Sequence, residues 1–282
     1  MNDTILSVAP HEPAYPELLK QAAGHPETLY VIGKLPEPCR TAIAIVGTRK
    51  ASPEGLKLAR TIARTLSSAG VSIISGLALG IDGAAHEGAL EGGTPTFAVL
   101  GNGIGSIYPP AHETLAKRIL ENGGGLISEY PKDTPAFPAH FLERNRIVSG
   151  LSRAIVVIEA PARSGALSTA RHAAEQGRDV FVLPGGASDQ AYLGSHFLIR
   201  EGARLVRNAA DILLDLELEP AAPNPENPPH PLLLIIQKNP HGISVEKLGE
   251  ISLFSPDELA ASLTLLELEG TIHEQNGLFF AS

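Results

Sequence analysis

Residues 141–146 combine side chains that suit the binding of a polyanion better than they suit catalysis. Arg144 and Arg146 carry fixed positive charges, Asn145 both donates and accepts hydrogen bonds, and Phe141 offers an aromatic face. Because the two arginines are two residues apart, they do not share a face of a helix. We therefore expect at least one arginine to hold phosphate groups, while Asn145 and the other arginine brace the pocket. A core role for Phe141 is the alternative.

Glycine, hydroxyl and charged residues also follow each predicted strand at its carboxyl end. The six segments are "GTRKAS" (47–52), "SGLALGIDGAAH" (75–86), "GNGIGSIYPP" (101–110), "SEYPKD" (128–133), "APARSGALST" (160–169) and "PGGASDQAYLGS" (184–195). The opposite ends have plain connections such as "SSAG" and "EQGRD". Ligands of open parallel sheets bind beyond the carboxyl ends of the strands, so this pattern predicts one binding edge.

The glycines and hydroxyls of these segments are typical of phosphate sites, in which backbone N–H groups must come close to the ligand. Arg49 either joins this site or pairs with an acid such as Glu129. The run from Gly101 to Gly105 is not the G-x-G-x-x-G fingerprint of dinucleotide sites. The candidate residues at this edge are Gly47, Thr48, Arg49, Ser75, Gly76, Gly101, Gly103, Ser164, Gly165 and Thr169.

Several other kinds of site are disfavoured. Cys39 is the single cysteine, and the ten histidines lack metal-ligand spacing, so we expect no disulfide within the chain and no metal. There is no G-x-S-x-G motif, and an N-cap plus a surface pair explains Asp82 and His86 at least as well as a catalytic dyad. No apolar run approaches the ~20 residues of a membrane span. We expect a cytoplasmic protein without catalytic residues or a cofactor.

The elements that must position these residues alternate regularly. Apolar, β-branched runs alternate with amphipathic stretches such as 52–70, in which Ser52 is a predicted N-cap and Pro53 the first helical residue. This alternation predicts an α/β fold that is Rossmann-like and doubly wound around a mostly parallel sheet. The expected strands are Ile43–Val46, Val71–Ile74, Thr96–Leu100, Leu126–Ser128, Ala154–Glu159, Val180–Leu183 and Arg204–Val206.

The C-terminal part differs in pattern and in charge. A proline-rich linker, 217–231, precedes predicted helices at 232–237, 244–250 and 255–269 and strands at 271–273 and 278–280, which favours a small winged-helix domain over 232–282. Residues 41–210 carry 17 basic and 14 acidic side chains, whereas residues 211–282 carry 2 and 12. The longest helix there has no Lys or Arg, although a helix that enters a DNA groove needs basic contacts to phosphate. We therefore assign nucleic acid to the core, 41–216, on which an N-terminal extension, 1–40, is expected to pack.

Six blocks of the core make the chain similar to the DprA/Smf family of DNA-processing proteins. They are "IVGTR" (45–49), "SGLALGIDGAAHEGAL" (75–90), "AVLGNGIGSIYPP" (98–110), "LISEYP" (126–131), "RNRIVSGLS" (144–152) and "EAPARSGALSTARHAAEQGRDVFVLPG" (159–185). The family's G-S-R turn corresponds to Gly47-Thr48-Arg49, and its aromatic-then-R-N-R segment corresponds to Phe141 through Arg146. Leu142 stands where proline is usual, and His196 stands where asparagine is common.

The resemblance implies a function that composition and spacing do not show. It implies a homodimeric recombination mediator that binds and protects incoming single-stranded DNA and helps load RecA during natural transformation, without a catalytic step. One alternative is a Rossmann enzyme of the LOG phosphoribohydrolase type, although "PGGASDQAY" (184–192) lacks both the G-T and the glutamate of its P-G-G-x-G-T motif. A nucleotide-sensing module is a further alternative.

Overall fold

The computed structural model describes residues 4–218, 230–268 and 271–281. The chain divides into two compact units, Met1–Pro220 and Ala221–Ser282. Each unit is described by itself below. Within the described residues, no helix is both long enough and apolar enough to cross a membrane.

Within its described residues, the first unit is built on a nine-stranded sheet in the order β1-β2-β6-β5-β4-β3-β7-β8-β9. The pairs from β6 through β9 are parallel, whereas β1 pairs antiparallel with β2 and β2 antiparallel with β6. The predicted α/β fold with a mostly parallel sheet is thereby confirmed. The strands are β1 Leu6–Val8, β2 Leu29–Gly33, β3 Ala42–Val46, β4 Ser72–Ser75, β5 Thr96–Val99, β6 Gly125–Ser128, β7 Ala154–Val157, β8 Asp179–Val182 and β9 Arg204–Leu205.

Helices connect the parallel strands. The second helix begins as its sequence predicts: Ser52 is the N-cap, its hydroxyl accepts a hydrogen bond from the Gly55 amide at 3.0 Å, and Pro53 is the first helical residue. The helices are α1 Glu17–Lys20, α2 Pro53–Ser68, α3 Ile81–Gly92, α4 Glu113–Glu121, α5 Pro138–Gly150, α6 Gly165–Glu175, α7 Leu193–Arg200 and α8 Ala209–Asp215, with single 3-10 turns at Pro110–His112 and Gln190–Tyr192.

Alternate residues of the same strand enter different apolar clusters. Ala44 and Val46 of β3 belong to one buried cluster, and Ile43 and Ile45 belong to another that includes α2. Helices therefore cover both faces of the central sheet, which is why its strands are continuous apolar runs in the sequence.

The first 33 residues contribute β1 and β2, which the sequence did not reveal as strands. Leu29 and Val31 of β2 are buried in the same cluster as Ala44 and Val46. The N-terminal segment thus contributes two strands to the main sheet, and Tyr15 and Leu19, which lie between these strands, are buried in the same cluster.

The strand order places a crevice beside β3. From β3 the chain proceeds through β4, β5 and β6 on one side, then returns to β7 on the other side of β3. The connections after β3 and β7 therefore leave the sheet in opposite directions, and the space outside their carboxyl ends is the usual ligand position of such sheets.

The second unit has its own small core. Its elements are α9 Pro231–Gln237, β10 Ile243–Ser244, α10 Val245–Ile251, α11 Pro256–Leu268, β11 Ile272–Gln275 and β12 Leu278–Ala281, with an antiparallel sheet in the order β10-β12-β11. Leu232, Ile236, Leu248, Leu259 and Leu263 are buried together. This order of elements is consistent with a winged helix, which stays a prediction. Most of the predicted linker, residues 219–229, and residue 269 of the predicted third helix lie outside the described residues.

Candidate nucleic-acid interface

A cleft with a volume of about 530 Å³ lies at the crevice beside β3. Its walls come from the connections that follow β3, β4 and β7, together with helix α5. Ten predicted site residues line it: Gly47, Thr48, Arg49, Gly76, Phe141, Arg144, Asn145, Ser164, Gly165 and Thr169. The four other predicted residues, Ser75, Gly101, Gly103 and Arg146, lie outside the lining.

Helix α5 presents one face to the cleft. Phe141, Arg144, Asn145 and Val148 line it and follow the spacing i, i+3, i+4, i+7, which places them on one side of a helix. Arg146 lies on another side, as the two-residue spacing predicts. Within the R-N-R segment, Arg144 and Asn145 therefore line the cleft, whereas the side chain of Arg146, which is 23% exposed, lies outside the lining.

Arg49 is exposed at the mouth of the cleft, and its guanidinium carbon lies 5.2 Å from the centre of the Phe141 ring. The alternative in which Arg49 pairs with Glu129 is wrong, because the Glu129 carboxylate pairs with Arg146. Lys50 and Arg163 are also exposed and line the same cleft. Sequence reasoning missed these two cations, although both stand in segments that follow strands.

Phe141 owes its position to the glycine beneath it. A Cβ atom at Gly101 would lie 2.5 Å from Cδ1 of Phe141, so a larger residue there would displace the ring. Tyr108 packs beside Phe141 with ring centres 5.4 Å apart. These two rings and Arg49 border a smaller pocket of about 80 Å³ at the side of the cleft.

Arg144 is part of the floor of the cleft and is only 3% exposed. Its Nη1 donates to the Gly76 carbonyl at 2.8 Å and to the Val99 carbonyl. The nearby Asp82 carboxylate accepts from the amides of Gly76 and Ala78 at 3.1 and 3.4 Å. Burial lowers the pKa of Arg144 to about 10 and raises the pKa of Asp82, although each charge partly offsets the shift of the other. Arg144 therefore braces the connection after β4.

Asn145 and Arg146 brace other elements. Asn145 donates from Nδ2 to the carbonyl of Gly165, at the start of α6, at 3.2 Å. Arg146 forms a two-point ion pair with Glu129, with nitrogen-to-oxygen distances of 2.6 and 3.1 Å, and its carbonyl accepts from Gln176 at 3.0 Å. Helix α5 is thus tied to the end of β6 and to α6 on both sides.

Ser75 and Gly103 support the cleft from behind. The Ser75 hydroxyl is fully buried and donates to the Ile45 carbonyl at 2.6 Å, so it links β4 to β3. The Gly103 amide donates to the Thr134 carbonyl at 2.8 Å, and a Cβ atom there would lie 2.1 Å from the Pro131 carbonyl oxygen. The hydrogen bond between the two strands explains the serine at position 75, and close packing explains the glycine at position 103.

The two connections that flank β3 and β7 are linked by Glu159. Its buried carboxylate accepts from the Ser52 hydroxyl at 2.8 Å, and its main-chain carbonyl accepts from the Thr48 amide at 2.8 Å. On the β7 side, the Ser164 hydroxyl caps α6 by accepting from the Ala166 amide at 3.3 Å. The first amides of a helix have no partner within that helix, so the start of α6 favours an anion.

Asp82 and His86 do not form the surface pair that their spacing suggests, because Asp82 is 7% exposed and His86 is fully buried. The N-cap position of α3 is Gly80, and Asp82 lies in the first turn. His86 Nδ1 lies 2.8 Å from the Thr96 hydroxyl, and burial lowers the pKa of His86 to about 3. The two side chains thus have different hydrogen-bond partners, and Asp82 alone borders the cleft.

The chain is similar in sequence to a family of DNA-processing proteins. Residues 7–217 match the family described as DNA recombination-mediator protein A. The chain is 46% identical over 203 residues to Protein Smf of Escherichia coli K12, covering 72% of this chain and 54% of that protein. It is 40% identical over 203 residues to DNA processing protein DprA of Streptococcus pneumoniae R6, covering 72% and 71%. The chain spans about half the length of the Smf relatives that it matches in Escherichia coli and Synechocystis.

The fold is also similar to those of solved structures. The X-ray structure of DprA from Streptococcus pneumoniae has a TM-score of 0.71 and 38% identity, covering 77% of this chain and 75% of that chain. A structure of DNA processing protein A from Helicobacter pylori, described for its single-stranded DNA binding mode, has a TM-score of 0.67 and 29% identity, covering 77% and 97%.

Proposed function

This chain belongs to the DprA/Smf family of DNA recombination-mediator proteins, and we propose that its core binds single-stranded DNA in the cleft beside β3. One observation carries the proposal. Exposed cationic side chains from two separate connections, Arg49, Lys50 and Arg163, line a single cleft together with the aromatic ring of Phe141. Cations that follow the phosphates and a ring that stacks on bases are the usual elements of single-strand binding.

Each group has a defined task in this proposal. Arg49, Lys50 and Arg163 hold successive phosphates, with the first amides of α6 as additional donors. A base stacks on Phe141 once Arg49 has moved from the ring to a phosphate, and stacking is worth ~1–3 kcal/mol per base. Because duplex bases are already stacked on one another, the site prefers single strands.

Arg144, Asn145 and Arg146 then act mainly through other residues. Arg144 holds the connection after β4, Asn145 holds the start of α6, and Arg146 anchors α5 to Glu129. Their conformations fix the distance between the phosphate-binding cations and the stacking ring. The sequence led us to expect that one of these arginines contacts phosphate directly, whereas this proposal gives that task to Arg49, Lys50 and Arg163.

The proposal includes no catalytic step. Within the described residues, Asp82 is the one carboxylate that lines the cleft, and the amides of Gly76 and Ala78 already bind it. Incubation with AMP should therefore release no adenine. Free adenine would favour a phosphoribohydrolase instead.

For the cellular role, we propose the one that membership of the DprA/Smf family implies. The protein protects incoming single-stranded DNA, helps load RecA on it during natural transformation, and acts as a homodimer in the cytoplasm, where RecA and its DNA meet. Light scattering at micromolar concentrations should give the mass of a dimer. A stable monomer would contradict the oligomeric part of the proposal alone.

The binding site is tested by charge removal. Affinity for labelled oligo-dT is measured at several salt concentrations for the parent, for Arg49→Ala and for Arg118→Ala. Arg118 is the matched control, because it is exposed on α4 and does not line the cleft. We expect Arg49→Ala to weaken binding of every sequence and to reduce the slope of log affinity against log salt by about 0.7, the value for one phosphate of a single strand.

The control should keep the parental affinity and slope. If Arg49→Ala is folded and has the parental affinity and slope, the cleft is not the site at which phosphates bind. A parent that binds no oligonucleotide would reject the function itself.

A further inference from the structure

A second group of aromatic side chains lies at the N-terminal end of α5, outside the lining of the cleft. The rings of Tyr130 and His140 are stacked, with centres 4.1 Å apart and planes 18° apart. Phe137 meets His140 edge-on at 5.2 Å and 87°. We call these three side chains the Phe137 cluster.

The Phe137 cluster adjoins the cleft along the chain. Phe137 is the N-cap residue of α5, and the next residue, Pro138, lines the cleft. A single strand that leaves the cleft over the start of α5 therefore meets the Phe137 cluster next. The cluster thus lies one residue along the chain from a residue of the cleft wall.

The accessibility of Phe137 differs from that of Phe141. Phe137 is 51% exposed, although burial of a phenylalanine side chain is favourable. Phe141 is only half-buried as well, but Gly101, Tyr108 and the Arg49 guanidinium already surround its ring. In the free protein Phe137 is thus the more available aromatic surface.

The cluster is braced from behind. The Tyr130 hydroxyl donates to the Glu143 carboxylate at 2.8 Å, and the stacked His140 ring lies between Tyr130 and Phe137. Side chains that are already ordered lose little rotamer freedom when a ligand stacks on them. The support makes Phe137 a pre-organised surface.

The charges around the cluster nearly balance. Lys132 and Asp133 are adjacent in the loop before Phe137, Glu143 is bound to Tyr130, and the nearby Glu129 is neutralised by Arg146. This neighbourhood has no excess of positive charge with which to hold phosphate. The Phe137 ring itself is a flat, apolar surface, and such a surface suits a nucleobase, because every base has a face that stacks.

We propose that Phe137, supported by His140 and Tyr130, is a second base-stacking surface, which holds a base of the same strand just outside the cleft. This proposal rests on the proposed function of the cleft. It has a distinctive signature: loss of Phe137 weakens binding only of strands long enough to reach it, and the salt dependence stays unchanged, because no phosphate contact is lost.

The test measures the affinity of oligo-dT of about 4 to about 30 nucleotides, a range that extends beyond the ~4–16 nucleotides of typical sites. The proteins compared are the parent, Phe137→Ala, Phe137→Tyr and Leu6→Ala. Leu6 is a matched control, since it is 50% exposed on β1. Phe137→Ala should bind the long strands at least about fivefold more weakly, the factor that corresponds to about 1 kcal/mol of stacking.

For the shortest strands that the parent binds, Phe137→Ala should have the same affinity as the parent. It should also keep the parental slope of affinity against salt. Phe137→Tyr should restore the affinity for long strands. Equal affinity of Phe137→Ala and the parent at every length, while Arg49→Ala weakens binding, would overturn this inference and leave the proposed function standing. Unchanged DNA affinity with a lower molecular mass in light scattering would also overturn it, by assigning Phe137 to a contact between two copies of the chain. If the parent binds no oligonucleotide, the proposed function fails first.

Discussion

At the scale of single residues, the arginines of α5 show what spacing can and cannot predict. The two-residue interval between Arg144 and Arg146 correctly predicted different helix faces. It could not predict that other parts of the protein bind both guanidinium groups, because that depends on elements distant in the sequence: β4 and β5 beneath Arg144, and the end of β6 beside Arg146. The accessible cations are Arg49, Lys50 and Arg163, which lie on connections rather than on the helix.

Replacement of Arg146 should therefore separate stability from phosphate binding. Arg146→Ala removes the partner of Glu129, and we expect the free energy of unfolding to fall by about 1–3 kcal/mol, since the pair is mostly buried. The slope of DNA affinity against salt should equal that of the parent. Urea denaturation and oligo-dT titration measure the two quantities, and a slope reduced by about 0.7 would instead show that Arg146 contacts a phosphate.

His86 gives the core a specific sensitivity to acid. Burial holds the pKa of His86 at about 3 in the folded protein, against 6.5 for a histidine in water, so protonation favours the unfolded chain. The stabilising contribution is complete above pH 6.5 and is lost as the pH falls towards about 3. Its steepest loss is about 1.4 kcal/mol per pH unit.

We expect His86→Gln to remove this part of the pH dependence. Urea denaturation of the parent and of the variant at pH 7.5 and pH 4.5 measures it, and the other titrating groups are common to both proteins. The parent should lose more stability than the variant between these two conditions. Equal losses would mean that His86 binds its proton as readily in the folded protein as in the unfolded chain.

At the scale of elements, the seven strands from β3 to β9 were predicted from sequence, and β1 and β2 were not. The central strands β3, β5 and β7 are buried along their whole length and mostly apolar, because helices cover both faces of their sheet. β1 has three residues with Leu6 half exposed, and its partner β2 begins about twenty residues later, so no tight hairpin turn indicates the pair. β2 then pairs with β6, which is distant in sequence.

The contribution of β2 to the core can be measured with one pair of substitutions. Leu29 is fully buried in β2, whereas Leu6 in β1 is 50% exposed. We expect Leu29→Ala to lower the free energy of unfolding by about 2–5 kcal/mol, because it leaves a cavity in a packed core. Leu6→Ala should lower it by less than about 1 kcal/mol, and equal small effects would mean that the N-terminal segment packs only loosely on the sheet.

At the scale of the whole molecule, charge is distributed unevenly along the chain. Residues 41–210, which supply every residue that lines the cleft, carry net +3, whereas residues 211–282 carry net −10. A polyanion is therefore attracted to the core segment and repelled by the C-terminal segment. The position of the cleft residues at the carboxyl edge was predictable, because ligands of open parallel sheets bind beyond the carboxyl ends of the strands. Which connections diverge depends on the strand order, which the residue pattern does not contain.

Truncation after Leu218 should therefore leave the affinity for single-stranded DNA unchanged or slightly raised. The deletion removes an acidic unit with its own buried core and none of the residues that line the cleft. Oligo-dT titration of the truncated and full-length chains at low salt makes the comparison. A large loss of affinity would mean that the C-terminal unit itself binds DNA.

The Arg49 guanidinium over the Phe141 ring has a thermodynamic consequence for any experiment on the cleft. An exposed cation–π contact is worth about 0.5–1 kcal/mol, and a base must break it before it can stack. Each of Arg49→Ala and Phe141→Ala removes this internal competitor along with a DNA contact, so each single substitution understates the contact that it deletes. In a double-mutant cycle, the double substitution should weaken binding by about 0.5–1 kcal/mol more than the sum of the two single effects. A coupling free energy of zero would mean that the guanidinium stays over the ring when DNA is bound.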